Sequence, residues 1–150
     1  MRTDILKKLS AHLRTEEVRK KFYFNEIVAS KELRQAKFPH VNPTCGTCGC
    51  ALGHLPDIDP KRCRIATDSS GDLELFIDDK IIKIWAYPEV IVGYLEITND
   101  SYMYMSYKIF FSFSYYRNNY HINSREQITA EMVADEIDAL VDKYERSNKC

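Results

Sequence analysis

No stretch of 18 consecutive apolar residues occurs in this sequence, so no segment reads as a helix that a bilayer would accept. Its opening residues, MRTDILKKLSAHLR, hold neither an apolar stretch of signal-peptide length nor a small-residue cleavage site. The expectation is a cytoplasmic protein without membrane partners. Glycine and proline number only five each, and low-complexity tracts and long one-sign charge blocks are missing. That excludes collagen-like, linker and disordered classes. The five cysteines are an odd count, which in a reducing compartment argues against a disulfide framework and leaves metal binding, reactivity or burial.

What is present fits a single domain over residues 1–150, with 45% hydrophobic residues to build a core. The net charge is −1, yet it is unevenly spread: residues 1–44 carry ten Lys or Arg against five acids, and residues 51–150 carry eleven against seventeen. Arg14, Arg19, Lys20 and Lys21 suit either a solvated helix face or an acidic or phosphate partner, the former being the usual use of such residues, so nucleic acid is not the expected partner.

Ile5, Leu6, Leu9 and Leu13 fall at helical spacing, Thr15 before two glutamates reads as a cap restarting a second helix, and Asn25 as the cap of a third ending near Lys37. The segment LPDIDPKRCRIATDSSGD reads as an irregular connector because turn-forming residues crowd it. Leu73, Leu75 and Ile77 alternate before Asp78-Asp79, and Ile82 and Ile84 follow, as in a β-hairpin over 73–86. Thr129 caps a last helix with Val133, Ile137, Leu140, Val141 and Tyr144 on its apolar stripe and Asp135, Asp138 and Asp142 toward water. The fold class expected is α+β: mainly helical, with a small antiparallel β-hairpin.

Three cysteines crowd PTCGTCGCALGHLP, residues 43–56. One reading is structural: Thr47 caps a helix over about residues 48–55, Gly46 permits the turn into it, and Cys50, Ala51 and Gly53 form a small face for close helix contact. On that reading His54 is a satisfied core or boundary histidine and Pro56 closes the element. A second reading is zinc, with Cys45, Cys48, Cys50, His54 and Cys63 as ligand candidates. A third pairs Cys50 with His54 at i and i+4 as a reactive thiol. The structural reading is preferred, so no enzyme and no cofactor are expected, with zinc as the alternative.

Cys45-Gly46-Thr47, Cys50-Ala51 and Gly53-His54 together resemble a motif of small uncharacterised proteins of bacteriophages and bacteria. KFYFNEIVA (21–29), IFFSFS (109–114) and ITAEMVADEIDALVDKY (128–144) are similar to flanking features of the same group. The resemblance covers about half the chain, and its specific part is the cysteine core. It implies that Cys45 and Cys50 are the recurring cysteines, with Cys48 an addition. It also implies that the paired phenylalanines sit on a helix, whereas the aromatic content of residues 102–120 by itself favours a strand. It transfers no activity, but it suggests a phage source, and a small chain of that source without a catalytic constellation is expected to be a non-enzymatic accessory protein that inhibits or sequesters a host component, including host antiviral defence.

Nine of the eighteen aromatic residues lie between Tyr102 and Tyr120. This stretch is the expected contact surface for a host protein or a second copy of the chain, and Tyr115, Tyr116, Arg117 and Tyr120 are the candidate binding residues. The same four could stack on and neutralise a nucleotide-like ligand, which gives a nucleotide-sequestering alternative. A zinc-knuckle adaptor is the other alternative.

Overall fold

The structure, a computed structural model, describes residues 1–24, 50–67, 69–70, 73–82 and 87–149. The expected third helix from Asn25, the motif residues Cys45, Gly46, Thr47 and Cys48, and Ile84 lie outside the described residues. The elements in order are α1 (Thr3–Leu13), α2 (Glu16–Arg19), a 3-10 turn (Ala51–His54) running into α3 (Leu55–Ile58), β1 (Cys63–Thr67), β2 (Leu73–Ile77), β3 (Lys80–Ile82), α4 (Tyr87–Tyr94), α5 (Asp100–Phe111), α6 (Phe113–Tyr120), a 3-10 turn (Arg125–Gln127) and α7 (Ala130–Ser147). The fold is α+β, mainly helical, with one small three-stranded antiparallel sheet.

The core is organised around α1 against α7. Ile5, Leu6, Leu9 and Leu13 bury the stripe of α1, and Val133, Ile137, Leu140 and Val141 bury that of α7. Where they meet, the Ser10 hydroxyl donates to the Ala134 carbonyl at 3.3 Å, so the one polar group on the buried face of α1 is satisfied. Thr129 caps α7 by accepting from the Met132 N–H at 3.2 Å, and Thr15 accepts from the Val18 N–H at 3.4 Å at the start of α2. Part of the basic charge near the start of the sequence is paired at or beside this interface. Arg14 reaches Asp135 at 2.6 Å and Asp138 at 2.9 Å, Arg19 pairs with Glu131, and Lys20 and Lys21 pair with Glu16 and Glu17 one helical turn back.

The hairpin forms as expected through β2 and β3, pairing Leu75 with Ile82 and Ile77 with Lys80. Asp78 and Asp79 both take positive φ, 48° and 63°, the pattern that a two-residue turn between strands favours. The stretch expected to be an irregular connector instead supplies β1, which adds a third strand by pairing Cys63 with Ile77 and Ile65 with Leu75. Its first cluster of turn-forming residues ends at Pro60, and Arg62 and Arg64 then reach across to the turn, Arg62 to Asp78 and Arg64 to Asp79 at 3.2 Å. These pairs anchor the strand where its sequence shows little alternation.

The cysteine segment is also shorter and tighter than a helix over 48–55. Cys50 is extended and precedes the 3-10 turn, whose Gly53 N–H donates to the Cys50 carbonyl at 3.0 Å. Pro56 lies in the first turn of α3, where its missing N–H costs nothing, so it opens that helix rather than closing the preceding one. Residues 50–55 are buried throughout, which puts this segment in the core.

Residues 102–120 are helical, in two pieces. Asn99 caps α5 by accepting from the Ser101 N–H at 2.9 Å. At the joint, Ser112 gives its N–H to the Lys108 carbonyl at 3.1 Å and accepts from the Tyr115 N–H at 3.2 Å, ending one helix and capping the next. Burial at Ser106, Ile109 and Phe110 follows a helical period that overrides the β propensity of the aromatics.

Candidate functional site

Two places carry side chains that the core does not fully use. The first is the aromatic helix pair. Tyr104 and Tyr107 are the large apolar side chains most open to solvent among the described residues, 61% and 46% exposed, and their three-residue spacing sets them on one face of α5. The Lys108 ammonium stands 4.3 Å from the centre of the Tyr104 ring, and Tyr107 stacks on Phe111 at 6.0 Å. These pairings hold the rings in place at the surface.

The four residues expected to bind are split by the structure. Tyr116 is fully buried, packed edge-on against Phe24 at 5.3 Å, and its hydroxyl donates to the Ile109 carbonyl at 2.7 Å. It is a core residue and not part of a surface. Tyr115 and Tyr120 are half-buried, and both hydroxyls donate to Glu136, Tyr120 at 2.9 Å. Burial first, and then the Glu136 carboxylate, push both phenols above their ordinary range. Arg117 is exposed. Tyr104 and Tyr107 were not singled out by sequence, because composition marks the whole stretch while only helical phase tells which rings face out.

The second place lies between α1 and the cysteine segment. His12, on the last turn of α1, directs Nε2 to Asp57 Oδ2 at 3.1 Å, and His54 directs Nδ1 to the same oxygen at 3.3 Å. His54 is fully buried, and among the described residues its Nε2 has no hydrogen-bond partner. This corrects the expectation of a satisfied histidine. Burial, the largest cause, holds the His54 imidazole below its ordinary range, and the His54 contact, followed by the His12 contact, lowers the Asp57 carboxyl. An ionised Asp57 can only accept, so each imidazole donates to it and the His54 Nε2 keeps an unmatched lone pair. The Lys21 ammonium, itself buried, is held by Glu17 at 3.0 Å.

Cys50 and Cys63 are free, buried thiols, and burial pushes each up to about 11. Such a Cys50 is the opposite of an activated thiolate, so the pairing with His54 as a reactive thiol has no support. Among the described residues, the donors close enough to share one ion are those of His12, His54 and Asp57, and neither Cys50 nor Cys63 joins them. Cys45 and Cys48 lie outside the described residues. No helix of the described residues is long and apolar enough to cross a membrane. No known protein family, curated protein or solved structure matches the chain.

Proposed function

We propose that the chain is a non-enzymatic accessory protein of the phage type, which acts in the host cytoplasm by occupying the surface of a host protein. The observation that carries this reading is the pair Tyr104 and Tyr107, more exposed than other large apolar side chains described and steadied by Lys108 and Phe111. Tyrosines held in this way present a large amphipathic contact area with little ordering left to do on binding. Arg117, on the following helix, adds an exposed cation to the same aromatic segment. The resemblance to small phage and bacterial proteins supports the accessory role and the direction against a host component.

The nucleotide-sequestering alternative loses its footing with Tyr116 buried and with Glu136 holding the hydroxyls of Tyr115 and Tyr120, since a carboxylate there repels phosphate. The test is a double variant, Tyr104→Ala with Tyr107→Ala, compared with the unaltered chain in affinity capture from bacterial lysate and in sedimentation. The variant should keep its circular dichroism and melting profile while losing the captured protein. Equal capture by both chains would overturn the assignment of this face, and loss of self-association alone would make the partner a second copy.

A further inference from the structure

We propose that His12, His54 and Asp57 form a binding site for one divalent transition-metal ion, with Zn²⁺ the best fit to two imidazoles and a carboxylate. The three donor atoms lie within 4.8 Å of one another, although His12 and His54 stand far apart in the chain. Asp57 Oδ2 is 3.1 Å from His12 Nε2 and 3.3 Å from His54 Nδ1. Bonds of about 2.0–2.1 Å at tetrahedral angles separate neighbouring ligand atoms by about 3.3 Å, so the two spacings to Asp57 Oδ2 already match those of ligands about a common centre. The ring centroids are 5.6 Å apart and their planes are inclined at 59°, near the separation of about 5 Å for two imidazoles on one tetrahedral ion.

In the ion-free state two N–H groups converge on one carboxylate oxygen. An ion takes the place of those two N–H groups between the rings and the carboxylate. In each ring the proton moves to the other nitrogen, Nδ1 in His12 and Nε2 in His54, and the freed lone pairs bind the metal. Two neutral imidazoles and one carboxylate then leave the site with one net positive charge. The His12 and Asp57 side chains are 25% and 31% exposed while His54 is sealed, which gives the ion a route in from one side and leaves the remaining coordination to water. The nearby Lys21 cation does not oppose this unbalanced, because Glu17 neutralises it. Bound there, an ion clasps the end of α1 to the cysteine segment, a site built on the motif histidine without the thiols of Cys50 and Cys63.

The test uses the full chain freed of metal by a chelator and titrated with Zn²⁺ and Co²⁺. One equivalent of Zn²⁺ should bind in calorimetry and raise the melting temperature by several degrees. Co²⁺ should give visible bands with no sulfur charge-transfer band in the near ultraviolet. His12→Ala and Asp57→Asn should each weaken Zn²⁺ binding at least about tenfold, the loss expected when one ligand of three is removed, while Cys50→Ala and Cys63→Ala leave it unchanged. Should a variant fail to fold, proton spectra of the unaltered chain decide: Zn²⁺ should shift the ring signals of His12 and His54 and leave that of His121 in place. Absence of binding, a sulfur band, or binding indifferent to His12 would each overturn the proposal.

Discussion

Replacing Tyr116 with phenylalanine removes a single oxygen atom from the core, and the structure says what that oxygen does. The Ile109 carbonyl sits in the last turn of α5, where Ser112 interrupts the helix and the carbonyls of that turn need partners from elsewhere. The Tyr116 hydroxyl fills this role at 2.7 Å, from one helix back to the end of the other, with both residues essentially sealed from water. Tyr116→Phe keeps the ring contacts with Phe24, Tyr115 and Tyr120 but leaves a buried carbonyl unpaired. Such an orphan costs about 1–3 kcal/mol. For a chain of this size each kcal/mol moves the midpoint by about 2–4 °C, so thermal melting followed by circular dichroism should show a drop of about 2–12 °C. Tyr104→Phe, which removes a hydroxyl at the surface, is the control and should shift the midpoint by no more than about 2 °C. If Tyr116→Phe melts within about 1 °C of the unaltered protein, the joint at Ser112 does not depend on this bond and the reasoning fails.

Gly93 lies within α4, and a Cβ added there meets nothing within 4 Å. Gly93→Ala should therefore raise stability by about 0.4–1 kcal/mol, read as a higher urea midpoint with an unchanged slope; a lower midpoint would show that the glycine is required. In metal-free protein, His54 is held neutral by burial, so the unfolded chain binds the extra proton below the ordinary value of 6.5. Stability should fall as pH drops from about 6.5 toward the lower folded value, with a further loss as the lowered Asp57 carboxyl protonates under its ordinary 3.8. Melting temperatures across this range, with ring-proton titration of His54, check it; a His54 midpoint at or above 6.5 would contradict the sealed position.

α1 and α7 were readable because each states its phase: apolar residues recur at helical spacing, and a threonine caps α7. The hairpin turn was readable for a similar reason, since two aspartates interrupt an alternating run. β1 was not, because Cys63 and Ile65 are its apolar signal and the preceding proline and aspartates outweigh them. Its strand character comes from pairing with β2 and from arginines that find their acids across the turn. In the aromatic segment, sequence composition located a concentration of rings but not their direction. Helical phase sends Tyr116 inward and Tyr104 outward, and that phase depends on the break at Ser112. The histidine pair was hidden for a different reason: His12 and the 54–57 segment meet through packing of α1, and no local spacing announces a partner so distant in the chain.

The pairing of α1 with α7 sets a timetable for biosynthesis. α1 leaves the ribosome more than a hundred residues ahead of the surface on α7 that buries Leu6, Leu9 and Leu13. At about 5–20 residues per second the interval from Leu13 to Ala130 is roughly 6–23 s, during which the apolar stripe of α1 has no native cover from α7. A chaperone that holds short amphipathic segments has that long to engage it. Assembly of the helical core thus waits for α7, and a nascent chain arrested before Ala130 should remain open to protease along α1 even after the hairpin has emerged.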